Sequence, residues 1–271
     1  MKNNIVLITG STDGIGKATA LQLAALGATV VVHGRNAERS QRTCDEIRQA
    51  TGNPNIDYVV ADLASQRQIR QMAADILARY DRLSVLINNA GVIVPTRQLS
   101  EDGLEMTFAV NYLAPFLLTH LLLELVKRSA PARIINVSST VHYDGRINFN
   151  DLQNERRYNG VTAYKDSKLG NVLFTFELAD RLKDTGVTAN CLHPGVVATK
   201  LLDAGWGWTN GWTPAQGAAL SVYLASSLVV EKVTGNYFES TASGGASPKA
   251  KDVKLRRQLW EVSARLAGLP I

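Results

Sequence analysis

Short, mostly apolar runs recur along the chain at residues 5–8, 29–32, 56–61, 85–87, 133–137, 187–192 and 236–238. They are rich in valine and isoleucine and carry little polar alternation, which predicts strands buried on both faces. Between them, residues 15–26, 37–50, 65–80, 104–126, 163–183 and 214–226 return apolar side chains at helical spacing, as Ile15, Ala18, Leu21 and Ala25 do. Ser65 reads as a helix cap, Gly27 and Gly186 as helix stops, and Pro115 as a break in the long fourth helix. Doubly buried strands alternating with helices predict an α/β fold. It is a doubly wound parallel sheet of about seven strands with helices on both faces. No repeat or linker divides the chain, so residues 1–271 read as a single domain, with 249–271 as a C-terminal helical extension.

The 271 residues are 45% apolar and 20% charged, enough for a sizeable core. Cys44 and Cys191 lack metal-ligand spacing and read as reduced thiols of a reducing compartment, with no metal site. The net charge of +5 is spread out. Its one cluster, Lys249, Lys251, Lys254, Arg256 and Arg257, reads as a solvated helix face and not a nucleic-acid interface. The stretch 112–126 is too short to span a bilayer and contains His120 and Glu124. The N-terminus has no basic segment followed by a long apolar one. The expectation is a cytoplasmic chain without a membrane span or nucleic-acid partner.

The first strand runs into Gly10, Ser11, Thr12, Asp13, Gly14, Ile15 and Gly16, and then a helix. Glycines there let the backbone approach a pyrophosphate, and the helix N-terminus offers oriented N–H groups, as in a Rossmann fold. After the second strand comes His33-Gly34-Arg35, with no carboxylate to bond a ribose 2′-hydroxyl. Arg35 has the planar charge that suits a 2′-phosphate, so the cofactor expected is NADP(H); the alternative is a plain surface arginine.

Tyr164 and Lys168 stand four apart on a predicted helix and share a face. An ammonium beside a phenol lowers its pKa, making it a proton donor to a carbonyl and an acceptor in reverse. Ser139, just past the fifth strand, lies at the carboxyl edge where parallel sheets bind ligands and can orient the substrate oxygen; Ser138 reaches the same edge.

These motifs together resemble the short-chain dehydrogenase/reductase family. Residues 9–16 are similar to its TGxxxGIG fingerprint and Asn88-Asn89-Ala90-Gly91 to its NNAG element. The resemblance runs from residue 5 to about residue 248. It implies Asn111, Ser139, Tyr164 and Lys168 as the catalytic set, with Asn111 holding a water beside the lysine. It also implies cofactor contacts from Asp62 with Leu63, from Asn89, Ala90 and Gly91, and from Pro194, Gly195, Val197 and Thr199. His193 falls beside this nicotinamide loop as structure, not as an acid. Many members are dimers or tetramers through long helices such as 104–126 and 163–183, so a homodimer or homotetramer is implied here.

Ser139 and Tyr164 stand 25 positions apart, a longer interval than many members use. The intervening segment resembles the retinol dehydrogenase and protochlorophyllide reductase branch. Residues 201–213 would cover the substrate, and Trp206, Trp208 and Trp212 on a flexible loop there would form an apolar lid for a bulky retinoid-, steroid- or aromatic-like carbonyl or alcohol. Packing against the core or a partner is the other reading of these indoles. Reduction of a carbon–carbon double bond, or a non-catalytic NADP-sensing module, are the alternative functions.

Overall fold

Period-two alternation decides what each strand buries. The computed structural model describes residues 1–270. In β1 (Ile5–Ile8), Leu7 faces one side of the sheet and Val6 and Ile8 the other. The same split runs through β2 (Thr29–Gly34), β4 (Val85–Asn88) and β5 (Ala132–Val137), where Val31, Leu86 and Ile134 join Leu7. Helices α3 (Gln66–Arg79), α5 (Ala114–Arg128), α6 (Gly160–Arg181) and α9 (Val253–Leu266) cover that face. Helices α1 (Gly14–Ala25), α2 (Ala37–Thr51) and α8 (Pro214–Ser226) cover the opposite one.

Adding β3 (Ile56–Val60), β6 (Val187–Leu192), β7 (Tyr237–Phe238) and β8 (Ser243–Gly244), the sheet runs in the order β3-β2-β1-β4-β5-β6-β7-β8. The seven parallel strands are those expected. The eighth, β8, is antiparallel and two residues long, and its Ser-Gly sequence carries no apolar signal. Crossovers from β1 and β4 leave in opposite directions, so a crevice opens at their carboxyl ends.

The expected break near Pro115 sits one turn earlier. Met106–Phe108 (α4) passes through a π turn, Ala109–Leu113, into α5. Pro115 has no N–H for the carbonyl of Asn111, and widening that turn accommodates the loss. The continuous helix Met106–Arg128 is long and apolar enough to cross a membrane, more than the stretch read from sequence, but most of it is buried inside the fold.

The C-terminal basic stripe is not uniformly solvated. Arg256 is 8% exposed and donates from Nη2 to Asp180 at 2.8 Å, beside the buried carboxylate of Glu177. Trp260 packs on Phe116 and Phe174, with the Arg181 guanidinium 4.2 Å from its ring centroid. The hydroxyls of Tyr112 and Ser263 lie 2.7 Å apart. Helix α9 thus covers the outer faces of α5 and α6, the two helices through which assembly was expected.

Candidate active site

The glycine-rich turn after β1 is fixed by side chains on the neighbouring strands. Gly10 N–H donates to His33 Nδ1 at 3.0 Å, Ser11 N–H to the His33 carbonyl at 2.9 Å, and Ser11 Oγ–H to the Ile8 carbonyl at 2.7 Å. Ser11 Oγ also accepts from His33 N–H. Ser11 is therefore fully buried, and its side chain shapes the turn instead of facing the crevice as a cofactor ligand. His33 Nε2 lies 3.1 Å from the Ala61 carbonyl. With one nitrogen accepting and the other donating, the ring is neutral, and burial pushes its pKa down to about 4.

Asn89 Nδ2 donates to the carbonyls of Thr9 and Gly10, while Thr9 Oγ1 accepts from the N–H groups of Asn89 and Ala90. These bonds lock the β1 and β4 loops together. A Cβ on Gly16 would stand 2.3 Å from the Gly10 carbonyl oxygen, so only glycine fits there. Asp13 caps α1 by accepting from Gly14 N–H. Its carboxylate also meets Lys200 at 2.9 Å and Arg39 at 2.8 Å, and the Lys200 bond leads in holding its pKa below the usual value. Arg39, in the first turn of α2, reaches the same loop and was missed in the sequence because nothing in its spacing marks it. Arg35 is exposed just past β2. Asp62 Oδ1 accepts from Ala64 N–H in a tight turn after β3, and Leu63 beside it is buried.

Two further elements complete the crevice. Asn159 caps α6 three residues earlier than expected, and α6 carries Tyr164 and Lys168, both buried. Lys168 Nζ donates to the Val137 carbonyl at 2.8 Å and lies 5.3 Å from the Tyr164 ring centroid. Ser138 Oγ–H donates to the Lys168 carbonyl at 2.9 Å. Ser138 is thereby committed to stitching β5 to α6. Ser139 Oγ has only a 3.4 Å contact with Val141 N–H, which separates the two serines by role. Asn111, in the π turn, accepts from Val92 N–H and donates to the Val92 carbonyl and to Ser167 Oγ. A Cβ on Gly91 would stand 3.6 Å from both Asn111 Oδ1 and Lys168 Nζ, which brings these three residues together.

Burial pushes the Lys168 ammonium down to about 8 and raises the Tyr164 phenol above its ordinary value. The protein alone therefore keeps Tyr164 as the neutral proton donor. Beside it, a buried polar chain runs from Thr119 through Asn88 and Asn136 to Thr175, tying β4 and β5 to α5 and α6.

The segment 194–213 is more ordered than a flexible loop. Thr199 caps α7 (Lys200–Trp206), which ends at left-handed Gly207. Trp206 meets Tyr164 edge-on, with ring centroids 5.8 Å apart. Trp212 exchanges backbone hydrogen bonds with Val196 and Ala198 around buried Val197. Its ring lies where a Cβ on Gly195 would fall, only 2.4 Å from such an atom. Trp208 is 57% exposed. Of the three indoles expected to form a lid, Trp206 borders Tyr164, while Trp212 braces the loop after Pro194 and, like Trp208, is exposed. His193 follows β6, and its buried Nδ1 has no partner among the described residues. A cavity of about 180 Å³ lies along another face of α6, at Ala163, Ser167 and Gly170, and does not include Tyr164.

The crevice fits a nicotinamide dinucleotide. A twelve-residue helix opens its N-terminus onto the switch point, the turn beneath it has no room for a Cβ at Gly16, and Lys168 and Tyr164 close the far end. Human retinol dehydrogenase 11 is 43% identical over 282 residues, covering 100% of this chain and 88% of the relative. A crystal structure of an uncharacterised protein from Mycobacterium paratuberculosis superposes with a TM-score of 0.83 at 31% identity, covering 100% of this chain and 96% of the other. A short-chain dehydrogenase from Shigella flexneri in complex with NADP superposes with a TM-score of 0.75 at 27% identity, covering 88% and 97%. A family-wide sequence model described as short chain dehydrogenase matches residues 4–208. The chain belongs to the short-chain dehydrogenase family, in its retinol dehydrogenase-like branch, and is an oxidoreductase acting on CH–OH and C=O groups.

Proposed function

We infer that the chain is an NADP(H)-dependent oxidoreductase that interconverts a carbonyl and an alcohol on a bulky apolar substrate, with Tyr164 as its general acid and base. The observation that carries this reading is the buried Tyr164 with Lys168 Nζ 5.3 Å from its ring centroid and Trp206 edge-on against it. Ser139 and Tyr164 bond the substrate oxygen, and Tyr164 Oη–H supplies the proton in reduction. Lys168 faces the phenol with a charge that favours its ionised form in the reverse direction. Asn111 holds the bend next to Lys168 and a water on the proton path. When bound, NADPH supplies the hydride.

The end of β2, His33-Gly34-Arg35, carries no carboxylate to bond a ribose 2′-hydroxyl, and Arg35 with Arg39 on the following helix supports NADP(H) over NAD(H). The NADP carried by the Shigella flexneri relative supports the same choice. Similarity to retinol dehydrogenase 11 and the indole edge at Tyr164 support an apolar substrate such as a retinoid. Assay of NADPH oxidation against aldehydes and ketones, retinal among them, tests the reading. Turnover with NADPH that is lost in Tyr164→Phe supports it. NADPH binding without turnover on any carbonyl overturns it in favour of a double-bond reductase or a sensor, and preference for NADH overturns the roles of the two arginines.

A further inference from the structure

Ser139 Oγ has one weak bond of its own, so its position depends on the backbone that carries it. That backbone is held by His142. The ring is fully buried, and its Nδ1 lies 2.7 Å from the Ser139 carbonyl, which also accepts from the His142 N–H at 3.1 Å. On the far side, Nε2 faces the backbone N–H of Ser247 at 3.0 Å. A carbonyl only accepts and a backbone N–H only donates, so the tautomer follows: Nδ1 carries the proton and Nε2 is bare. The ring is flanked by Tyr143 at 4.2 Å and Tyr237 at 4.5 Å between centroids, which leaves it little freedom to flip.

The segment that supplies Ser247 is tied to the same turn twice more. Lys249 Nζ donates to the Gly145 carbonyl at 2.6 Å, and the Tyr143 hydroxyl donates to the Gly245 carbonyl. Ala250 is buried against Val172, Cys191 and Tyr237, which anchors the segment on the core. A residue whose two ring nitrogens bond a serine's carbonyl and a remote chain segment suits one task, which is setting where that serine's oxygen sits.

We propose that His142 is a positioning residue for Ser139: its Nδ1–H fixes the serine backbone, and the Ser247 N–H fixes the tautomer that makes this bond. The inference rests on the reading of Ser139 as the residue that orients the substrate oxygen. His142 touches neither substrate nor cofactor and acts only through Ser139.

Two substitutions divide the ring's functions. In His142→Asn the amide nitrogen falls near the place of Nδ1 and still donates to Ser139, without reaching Ser247. In His142→Gln the side-chain oxygen reaches Ser247, with no donor at the place of Nδ1. The expected result is a fall in kcat of about tenfold in His142→Gln. NADPH affinity stays unchanged, and most of kcat returns in His142→Asn. In a Ser139→Ala background, His142→Gln should cost nothing further, because the oxygen it positions is gone. An equal loss in His142→Asn, the same loss in the Ser139→Ala background, or a loss confined to NADPH affinity overturns the proposal. For a variant that folds poorly, the wild-type tautomer read from imidazole nitrogen-15 shifts is the second measurement, and a proton on Nε2 overturns it. Failure of the underlying reading looks different: the wild-type chain turns over no carbonyl, or Ser139→Ala retains full activity, and the inference falls with it.

Discussion

The indole of Trp206 meets the ring of Tyr164 edge-on, at an interplanar angle of 84°. This follows from the length of α7: Gly207 ends the helix in a left-handed turn, which leaves Trp206 as its last residue over the site. On the proposed function, this indole edge beside Tyr164 is a wall for apolar substrate. Trp206→Ala should raise KM for a retinoid-sized carbonyl about tenfold, the worth of roughly 1–2 kcal/mol of lost apolar contact. kcat with a small aldehyde should hold. Trp208→Ala should change neither, and an equal effect there in steady-state kinetics would count against the assignment.

On the proposed NADP(H) reading, Arg35 after β2 and Arg39 in the first turn of α2 contribute separately. Arg35 is exposed, whereas Arg39 is held over the loop by Asp13 at 2.8 Å. Each can place a planar guanidinium on a 2′-phosphate. Arg35→Ala and Arg39→Ala should each lower the ratio of kcat/KM for NADPH to that for NADH by about tenfold, through NADPH alone. A fall with NADH of the same size would show that the loop itself had been disturbed.

Lys168 is costly to keep. Its ammonium is buried, and its pKa falls from 10.5 to about 8. Below pH 8 the folded chain must hold this charge, at a cost on the order of 3 kcal/mol. Between pH 8 and 10.5 the unfolded chain binds the proton more than the folded one, so this contribution to stability rises with pH. Lys168→Met removes the cost, though it leaves the Val137 carbonyl without its donor, a loss of about 1 kcal/mol. The cofactor-free variant should melt a few degrees higher than wild type at pH 7, with the gap closing towards pH 10.5, and should lack turnover. A lower melting temperature at pH 7 would refute the account.

His33 contributes a slope of the same sign in a more acidic window. It is neutral in the fold with a pKa near 4, against 6.5 for a free ring. Above pH 6.5 both states are neutral and the stability is fully present. As pH falls towards 4 the unfolded chain takes up a proton that the folded one refuses, which costs up to about 3 kcal/mol. Denaturant titrations of wild type and His33→Asn should diverge over that window, with the wild type losing more. Parallel curves would show that another group carries the acid sensitivity.

The parallel strands were legible because each is an apolar run, and the glycine turn and the Tyr164–Lys168 pair because their spacing follows from the chemistry they serve. What stayed hidden was what depends on distant partners. Ser11 sits inside the glycine motif, yet its hydroxyl turns inward to Ile8 and His33. Arg256 belongs to a basic stripe, yet it meets Asp180, 76 positions earlier, and drops into the core. Trp206 and Trp208 are two residues apart, but only the first faces Tyr164, because the helix ends between them. Composition identifies such residues, and only packing assigns them a direction.

We propose that the same packing disfavours association through α5 and α6. Along α6 from Ala163 to Ala179, only Lys165, Asp166 and Phe176 keep partial exposure, and most of α5 is buried as well. Helix α9 lies against α6, with Trp260 seated on Phe116 and Phe174. An interface between copies built on α5 and α6 would first have to displace it. Arg256 measures how firmly it is held. Its removal leaves Asp180 without its 2.8 Å partner and Glu177, 5% exposed at its side chain, with one cation fewer. Arg256→Met should therefore cost about 3 kcal/mol, whereas the exposed neighbour Lys254→Met should cost less than about 0.5 kcal/mol. Sedimentation of the wild type should give a monomer across the micromolar range. A stable dimer that Arg256→Met leaves intact would place the contact on another face, and a dimer that dissociates in Arg256→Met would show that α9 makes an interface instead of closing one.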